Sequence, residues 1–411
     1  MIFNEVNIMH NKNFMLYIVC GATNNFGSVL SNLGILFLVY DLTKSVKFTS
    51  FIAAIETIPF IFLGLIGGVV ADWFPKKSLL INLMYIRIPI IICFILTIYF
   101  QLYVLVSITF YVTSMSIISC FYNPAHRAFL PLLVDRSHLI KANSFYDAML
   151  KITTIISTML AGIFIYKINI VMFFIFDLSL YWISLICLHS INYTEYKNNN
   201  TNTKNISNIK SELIMFSREL KTNNKIKHLF IFTFIMIFLN TWIFDVGFLA
   251  FLKQHSSNAN QDYSFYKSYF AFSAIFINLS MPFIFKHQNI FTYLVGSIIW
   301  ALGFLLISIN QQFNIILMTL TIVSAGMIIS SSTRSFMIQS EVKPEMHGRA
   351  FSFNAVLLYI ANTLSYIFFG LLSDIMSIQS IYLLCSVMML LSAIFFYILF
   401  WSEKSKVFKP F

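Results

Sequence analysis

Charge is what this chain has least of. Only 10% of its 411 residues are Asp, Glu, Lys or Arg, against about a quarter in an ordinary soluble protein, while 58% are hydrophobic. A chain so poor in charge cannot cover a water-facing surface, which excludes a soluble globule. Acid is scarcer than base, 16 residues against 27, for a formal net charge of +11. In a soluble chain that excess would suggest nucleic acid as a partner. In one this apolar it fits basic loops on the cytoplasmic face of a membrane, and no nucleic-acid site is read. Cysteine is sparse too: Cys20, Cys93, Cys120, Cys187 and Cys385 all fall in apolar runs, without a CxxC pair or a nearby His. They read as buried thiols, and no metal site is expected. Also missing are a GxxxxGK[ST] loop, HExxH and GxSxG, and the eight His residues are scattered. ATP hydrolysis and intramembrane hydrolysis therefore lack their machinery, and the chain is not expected to be an enzyme. The first thirteen residues carry Glu5, His10 and Lys12, and the run after them is too long for a signal-peptide core. The first span is expected to be the targeting signal itself.

What is present is a series of long apolar runs. Taking about 20 residues per crossing, twelve spans are predicted. Six lie at 14–40, 48–71, 78–100, 102–125, 139–166 and 170–191. Six more lie at 228–252, 264–285, 290–309, 313–337, 349–373 and 379–401. The runs are continuous rather than alternating, so only helices fit, and the lipid bilayer is the chain's main partner. The Asn-, Lys- and Thr-rich stretch 192–227 is the one clear linker, dividing a half at 1–191 from a half at 228–411. With the N-terminus inside, most basic residues fall on the cytoplasmic side; Lys44, Lys47, Lys167, Lys253 and Lys267 fall outside, and Arg87 and Lys151 within spans. Both termini and the linker are thus expected in the cytoplasm.

The halves resemble each other. Arg127-Ala128-Phe129 matches Arg334-Ser335-Phe336, and Ala142-Asn143-Ser144-Phe145 matches Ala350-Phe351-Ser352-Phe353 after a similar gap. Such internal similarity is the trace of a parallel repeat, and two like halves suggest alternating access around a central site. Near the end of span two, Gly64 and Gly68 form a small-xxx-small step suited to close helix approach. Asp72 follows where the run reaches water, and Pro75, Lys76 and Lys77 make a charged turn on the cytoplasmic side.

Residues in this turn resemble a pattern of the major facilitator superfamily, Gly-x-x-x-Asp followed by Arg, a spacer, Gly and two basic residues. Gly68, Asp72, Lys76 and Lys77 fit it; Trp73 stands at the Arg position and Pro75 at the Gly. Asn25-Phe26-Gly27-Ser28, Leu38 to Ser45, Pro124-Ala125, Leu130-Pro131, Ala142-Asn143-Ser144 and Asp177-Leu178-Ser179 are similar to its drug-exporter branch, which contains macrolide efflux proteins and the enterobactin exporter. The resemblance runs across nearly the whole chain. It implies an all-α membrane protein with twelve transmembrane helices in two six-helix, pseudo-symmetric halves. It also implies a cytoplasmic gate in which Asp72, with Gly68, Lys76 and Lys77, meets the start of span eleven near Gly348-Arg349.

Ionisable groups inside hydrocarbon are costly and are functional candidates by default. Glu56 and Asp245 fall in opposite halves, each about 10 to 12 Å below the outer end of its span at 1.5 Å per residue. Either or both are expected to carry a coupling proton, unless they are hydrogen-bonded structural acids. Arg87 and Asp177 fall in spans three and six, which the resemblance places at the periphery of each half, so packing or internal pairing is expected of them. Asp147 and Lys151, four apart with the acid first, read as a helical ion pair. Uncharged polar stripes supply the candidates for a substrate cavity: Asn25, Ser28 and Asn32; Thr109, Thr113, Ser116, Cys120 and Asn123; and Asn240 with Thr241. The alternative for each is hydrogen bonding between helices.

The expectation is a secondary exporter in the bacterial cytoplasmic membrane, a monomer that uses the proton gradient and no cofactor. Its cargo would be a small amphipathic, macrolide-like or other drug, with an endogenous siderophore as the alternative.

Overall fold

Twelve long helices follow one another among the described residues of the computed structural model, which describes residues 11–135, 138–167, 170–193, 223–285, 288–309, 312–342 and 347–407. They are α1 (Lys12–Thr43), α2 (Val46–Trp73), α3 (Lys76–Tyr99), α4 (Val104–Phe129), α5 (Leu139–Lys167) and α6 (Val171–Ser190). After the linker come α7 (Asn224–His255), α8 (Ala259–Ile284), α9 (Ile290–Ile309), α10 (Phe313–Glu341), α11 (His347–Leu372) and α12 (Ile378–Val407). Within α7 the turn Ile243–Gly247 is π rather than α.

Local signals set the ends. The Asn11 side chain caps α1, accepting from the backbone N–H groups of Asn13 and Phe14, and its amide donates to the carbonyl of Leu133 at 3.0 Å. Lys44 closes the helix in the left-handed region, at φ 50°. Pro75 separates α2 from α3. Asn11→Ala is expected to cost about 1–2 kcal/mol, the usual worth of a helix cap, read as a lower melting temperature in detergent.

Eleven of the helices, among the described residues, are long and apolar enough to cross a membrane. The remaining one, α8, has 26 residues, about 39 Å at 1.5 Å per residue, but it carries Gln261, Asp262 and Lys267. Large apolar side chains point outward: Phe62 is 70% exposed, Phe276 68% and Leu391 61%. In water that surface would aggregate; against lipid tails it is the stable arrangement. Four of the cysteines are buried, and Cys93, contrary to expectation, is exposed on α3.

The chain divides into two compact units, Met1–Lys44 with Ile55–Lys204 and Ser45–Ala54 with Asn205–Phe411. Most of the stretch 192–227 lies outside the described residues. The first turns of α2 thus belong with the second unit, where Ser50 accepts the indole N–H of Trp242 at 2.8 Å and Lys47 pairs with Asp374 at 2.8 Å. In the first unit α1 packs on α5 and α6, and α3 on α4 and α6. In the second, α7 packs on α11 and α12, and α9 on α10 and α12. Each pairing recurs six helices later, so the two halves repeat one bundle.

Close approach depends on glycines other than those expected. No described atom lies within 4 Å of where a Cβ would stand on Gly64 or Gly68, so the small-xxx-small step at these two residues packs against nothing described. Gly67 does the work instead: a Cβ there would lie 1.9 Å from the carbonyl oxygen of Cys120 on α4.

Candidate functional site

A cavity of about 240 Å³ opens within the first unit. Four helices supply its polar wall: Asn24, Asn25, Ser28, Ser31 and Asn32 from α1, Glu56 from α2, Arg87 from α3, and Ser116, Ser119 and Asn123 from α4. Tyr111 and Tyr181 and the apolar Ile35, Phe60, Val112 and Met115 complete it. The Asn32 amide donates to Glu56 Oε1 at 3.1 Å. Asn25 is tied to α5 through the Leu150 carbonyl and the hydroxyls of Thr153 and Thr154, at 2.9–3.0 Å. Ser28 and Tyr181 share a hydrogen bond of 3.2 Å.

Arg87 departs from its expected peripheral place. It lines this cavity while only 1% exposed. Its Nη1 donates to Asn24 Oδ1 at 2.6 Å and its Nη2 to Ser119 Oγ at 3.0 Å. The guanidinium carbon lies 4.6 Å from the Tyr122 ring centroid and 5.3 Å from that of Tyr181. Asp177 is wholly buried behind the wall and accepts from Ser31. Thr109 and Thr113 are not part of the wall; each hydroxyl donates to a carbonyl of its own helix.

The second unit holds the other candidate acid in a tighter setting. Lys267 Nζ reaches Asp245 Oδ1 at 2.6 Å, and the Tyr366 hydroxyl donates to Oδ2 at 2.7 Å. The Lys267 side chain is 14% exposed and that of Asp245 38%. The ammonium sits 3.7 Å from the Phe244 ring centroid and 5.4 Å from that of Tyr263. Asp245 lies in the π-turn of α7, where the extra residue rotates the side chains after Trp242 relative to a continuous α-helix. Gly247 permits that turn by leaving room for the Trp242 indole, which a Cβ would meet at 2.7 Å. Asn240 and Thr241 are spent on helix packing: Asn240 accepts from the Trp300 indole at 3.1 Å, and Thr241 donates to Asn362 at 2.6 Å.

Other expectations change as well. Asp147 pairs with Arg127 at 3.3 Å rather than with Lys151, because Arg127 at the end of α4 comes nearer than the i+4 neighbour. Lys77 donates to the Ile191 carbonyl at 2.6 Å, holding the C-terminal end of α6, where a cation is favoured. Lys76 opens α3. Gly68 lies on α2, and the Asp72 side chain falls outside what is described. Lys267, expected outside the membrane, is inside α8. Its place within the run 264–285 was the signal for it. Asn24 was also missed, although Asn24, Ser28 and Ser31 are spaced four and three apart, as regular a stripe as Asn25, Ser28 and Asn32.

An all-α bundle of apolar helices, repeated once, with a polar cavity in its first unit, is the fold of the major facilitator transporters. Solved structures share the fold: the nucleoside transporter NupG aligns with a TM-score of 0.75 at 16% identity, over 95% of this chain and 99% of that one. A POT family transporter in complex with 5-aminolevulinic acid aligns at 0.71 and 13%, over 95% and 96%. The xylose transporter XylE from E. coli aligns at 0.68 and 12%, over 93% and 94%. The chain belongs to the MFS_3 family, described as transmembrane secretion effector, whose profile matches residues 6–406. An uncharacterized MFS-type transporter of Bacillus subtilis (strain 168), YkuC, is 25% identical over 138 residues, which are 33% of this chain and 32% of that protein. The match thus spans about a third of the relative's length.

Proposed function

We infer that this chain is a secondary active exporter of the bacterial cytoplasmic membrane, a monomer with both termini in the cytoplasm. It moves a small amphipathic organic compound, macrolide-like or another drug, outward in exchange for protons, and the proton gradient takes the place of a cofactor. The observation that carries this reading is Asp245, a carboxylate in a membrane helix balanced by Lys267 and Tyr366. A proton arriving on that carboxylate neutralises it and takes the counter-charge from the Lys267 ammonium, so proton binding and the Asp245–Lys267 contact are coupled. Glu56 on the cavity wall is the second proton-carrying candidate. Amides and hydroxyls beside Ile35, Phe60, Val112 and Met115 suit a cargo with one polar and one apolar face.

Export of an endogenous siderophore is the second reading, favoured by Arg87 at the cavity wall, where a cation suits an anionic chelator. The test is uptake into everted membrane vesicles against a panel of macrolides, other drugs and siderophores. An acid lumen is expected to drive accumulation of an amphipathic compound, and Glu56→Gln or Asp245→Asn to abolish it. No proton-linked accumulation across the panel would overturn antiport, and accumulation of siderophores alone would select the second reading. Full uptake by both variants would remove these two acids from coupling.

A further inference from the structure

Two buried ionisable side chains of the first unit are incompletely partnered, and they are neighbours. Asp177 on α6 is wholly buried, and α1 presents the Ser31 hydroxyl to its Oδ2 at 2.5 Å. Its other oxygen, Oδ1, has no hydrogen-bond partner. The titratable and charged groups that face it are Arg87 from α3, Tyr111 from α4, whose hydroxyl is a hydrogen-bond donor toward the carboxyl, and, one turn along its own helix, Tyr181. Packing holds the carboxyl in place: a Cβ on Gly27 would lie 2.1 Å from Oδ1. Arg87 spends both Nη groups on Asn24 and Ser119, and its Nε has no partner. Its charge acts on Asp177, yet among the described residues no ion pair joins the two.

An ionised carboxylate with an open oxygen is expensive in such surroundings. Two events relieve it. A proton can bind at Oδ1, or the Arg87 guanidinium can swing onto the carboxylate. A swing that brings the Nη groups onto Asp177 takes them from Asn24 and Ser119, both on the cavity wall. The two events are therefore alternatives, and each leaves the cavity with different free groups.

We propose that Asp177 is a proton-binding site of this transporter, with Arg87 as its alternative partner. With the proton on Oδ1, Arg87 stays bonded to Asn24 and Ser119. When the proton leaves, Arg87 pairs with Asp177 and frees the Asn24 amide and the Ser119 hydroxyl for a cargo bearing uncharged hydroxyl or amide groups. Proton and cargo then compete without touching, which is the thermodynamic requirement of exchange. This last step rests on the antiport reading; the proton site does not.

Infrared difference spectra of the purified full-length protein, recorded between acidic and alkaline pH, test the site without a cargo. A protonated-carboxyl stretching band is expected at acidic pH and lost at alkaline pH. It should vanish in Asp177→Asn and persist in Glu56→Gln and Asp245→Asn, as difference-spectrum features of those variants. Ser31→Ala keeps the acid and is expected to move the band by removing its hydrogen bond, which covers failure of Asp177→Asn to fold. Arg87→Gln is expected to keep the band into alkaline pH, since the anion has lost its alternative partner. A pH difference spectrum that is the same in wild type and Asp177→Asn, and unmoved by Ser31→Ala, overturns the proposal. An Asp177-dependent band with no proton-linked uptake in vesicles would sink antiport and leave the site standing; uptake without the band would do the reverse.

Discussion

Asp245→Asn is expected to destabilise the protein by about 2–3 kcal/mol, and to abolish proton-driven transport. The stability loss falls below the ~3–5 kcal/mol of a fully buried broken pair, because the Asp245 side chain is 38% exposed and partly screened. What remains is the Lys267 ammonium, only 14% exposed and without its counter-charge. The double variant Asp245→Asn/Lys267→Met separates the two roles. Removing both charges restores most of the melting temperature, since a neutral pair of similar volume often replaces a buried ion pair without loss. Transport does not return, because no group there can take up a proton. A double variant that regains stability and proton-driven uptake together would show the pair to be structural. One that stays as unstable as Asp245→Asn would show that Lys267 is held by its rings rather than by the carboxylate.

Gly326→Val is the substitution expected to damage the fold most. A Cβ on Gly326 would lie 2.3 Å from the backbone nitrogen of Trp300 and 2.5 Å from its Cα. Neither atom can move without displacing α9 as a whole. The same interface is closed on either side by Gly296 against Ser330 and by Gly303 against Val323, so α9 and α10 meet backbone to backbone along several turns. Overpacking there is expected to cost about 3 kcal/mol, the upper end of the usual range, measured as loss of monodisperse protein and a lowered melting temperature. Gly64→Ala and Gly68→Ala serve as controls: no described atom lies within 4 Å of either Cβ position, so no loss is expected, only the gain in helix propensity of up to about 1 kcal/mol. A Gly326→Val protein that melts like wild type would mean that the two helices pack farther apart than described.

The helices were legible because lipid imposes a simple rule: every backbone polar group must be satisfied within its own segment, so each long apolar run becomes a helix. That rule located the spans. It carried no information about which side of a helix faces which neighbour. Thr109 and Thr113 share a stripe with Ser116, yet only Ser116 reaches the cavity. Asn240 and Thr241 looked like cavity residues and are bound to Trp300 and Asn362.

Composition and hydropathy by themselves determined that this is an all-helical membrane protein, with few enough charges that each embedded one had to matter. Tertiary structure alone decided what those charges meet. Arg87 turns from packing to the cavity wall because Asn24 and Ser119 lie across from it, on helices 63 and 32 residues away in sequence. Lys267 turns from a loop cation into the partner of Asp245 because a π-turn aims the acid at α8. Close approach passes from Gly64 and Gly68 to Gly67 because, among the described residues, the α4 backbone at Cys120 faces Gly67 and no atom comes near the other two. In each case the residue type was fixed by the low dielectric of the membrane, and its role by long-range packing that no spacing along the chain encodes.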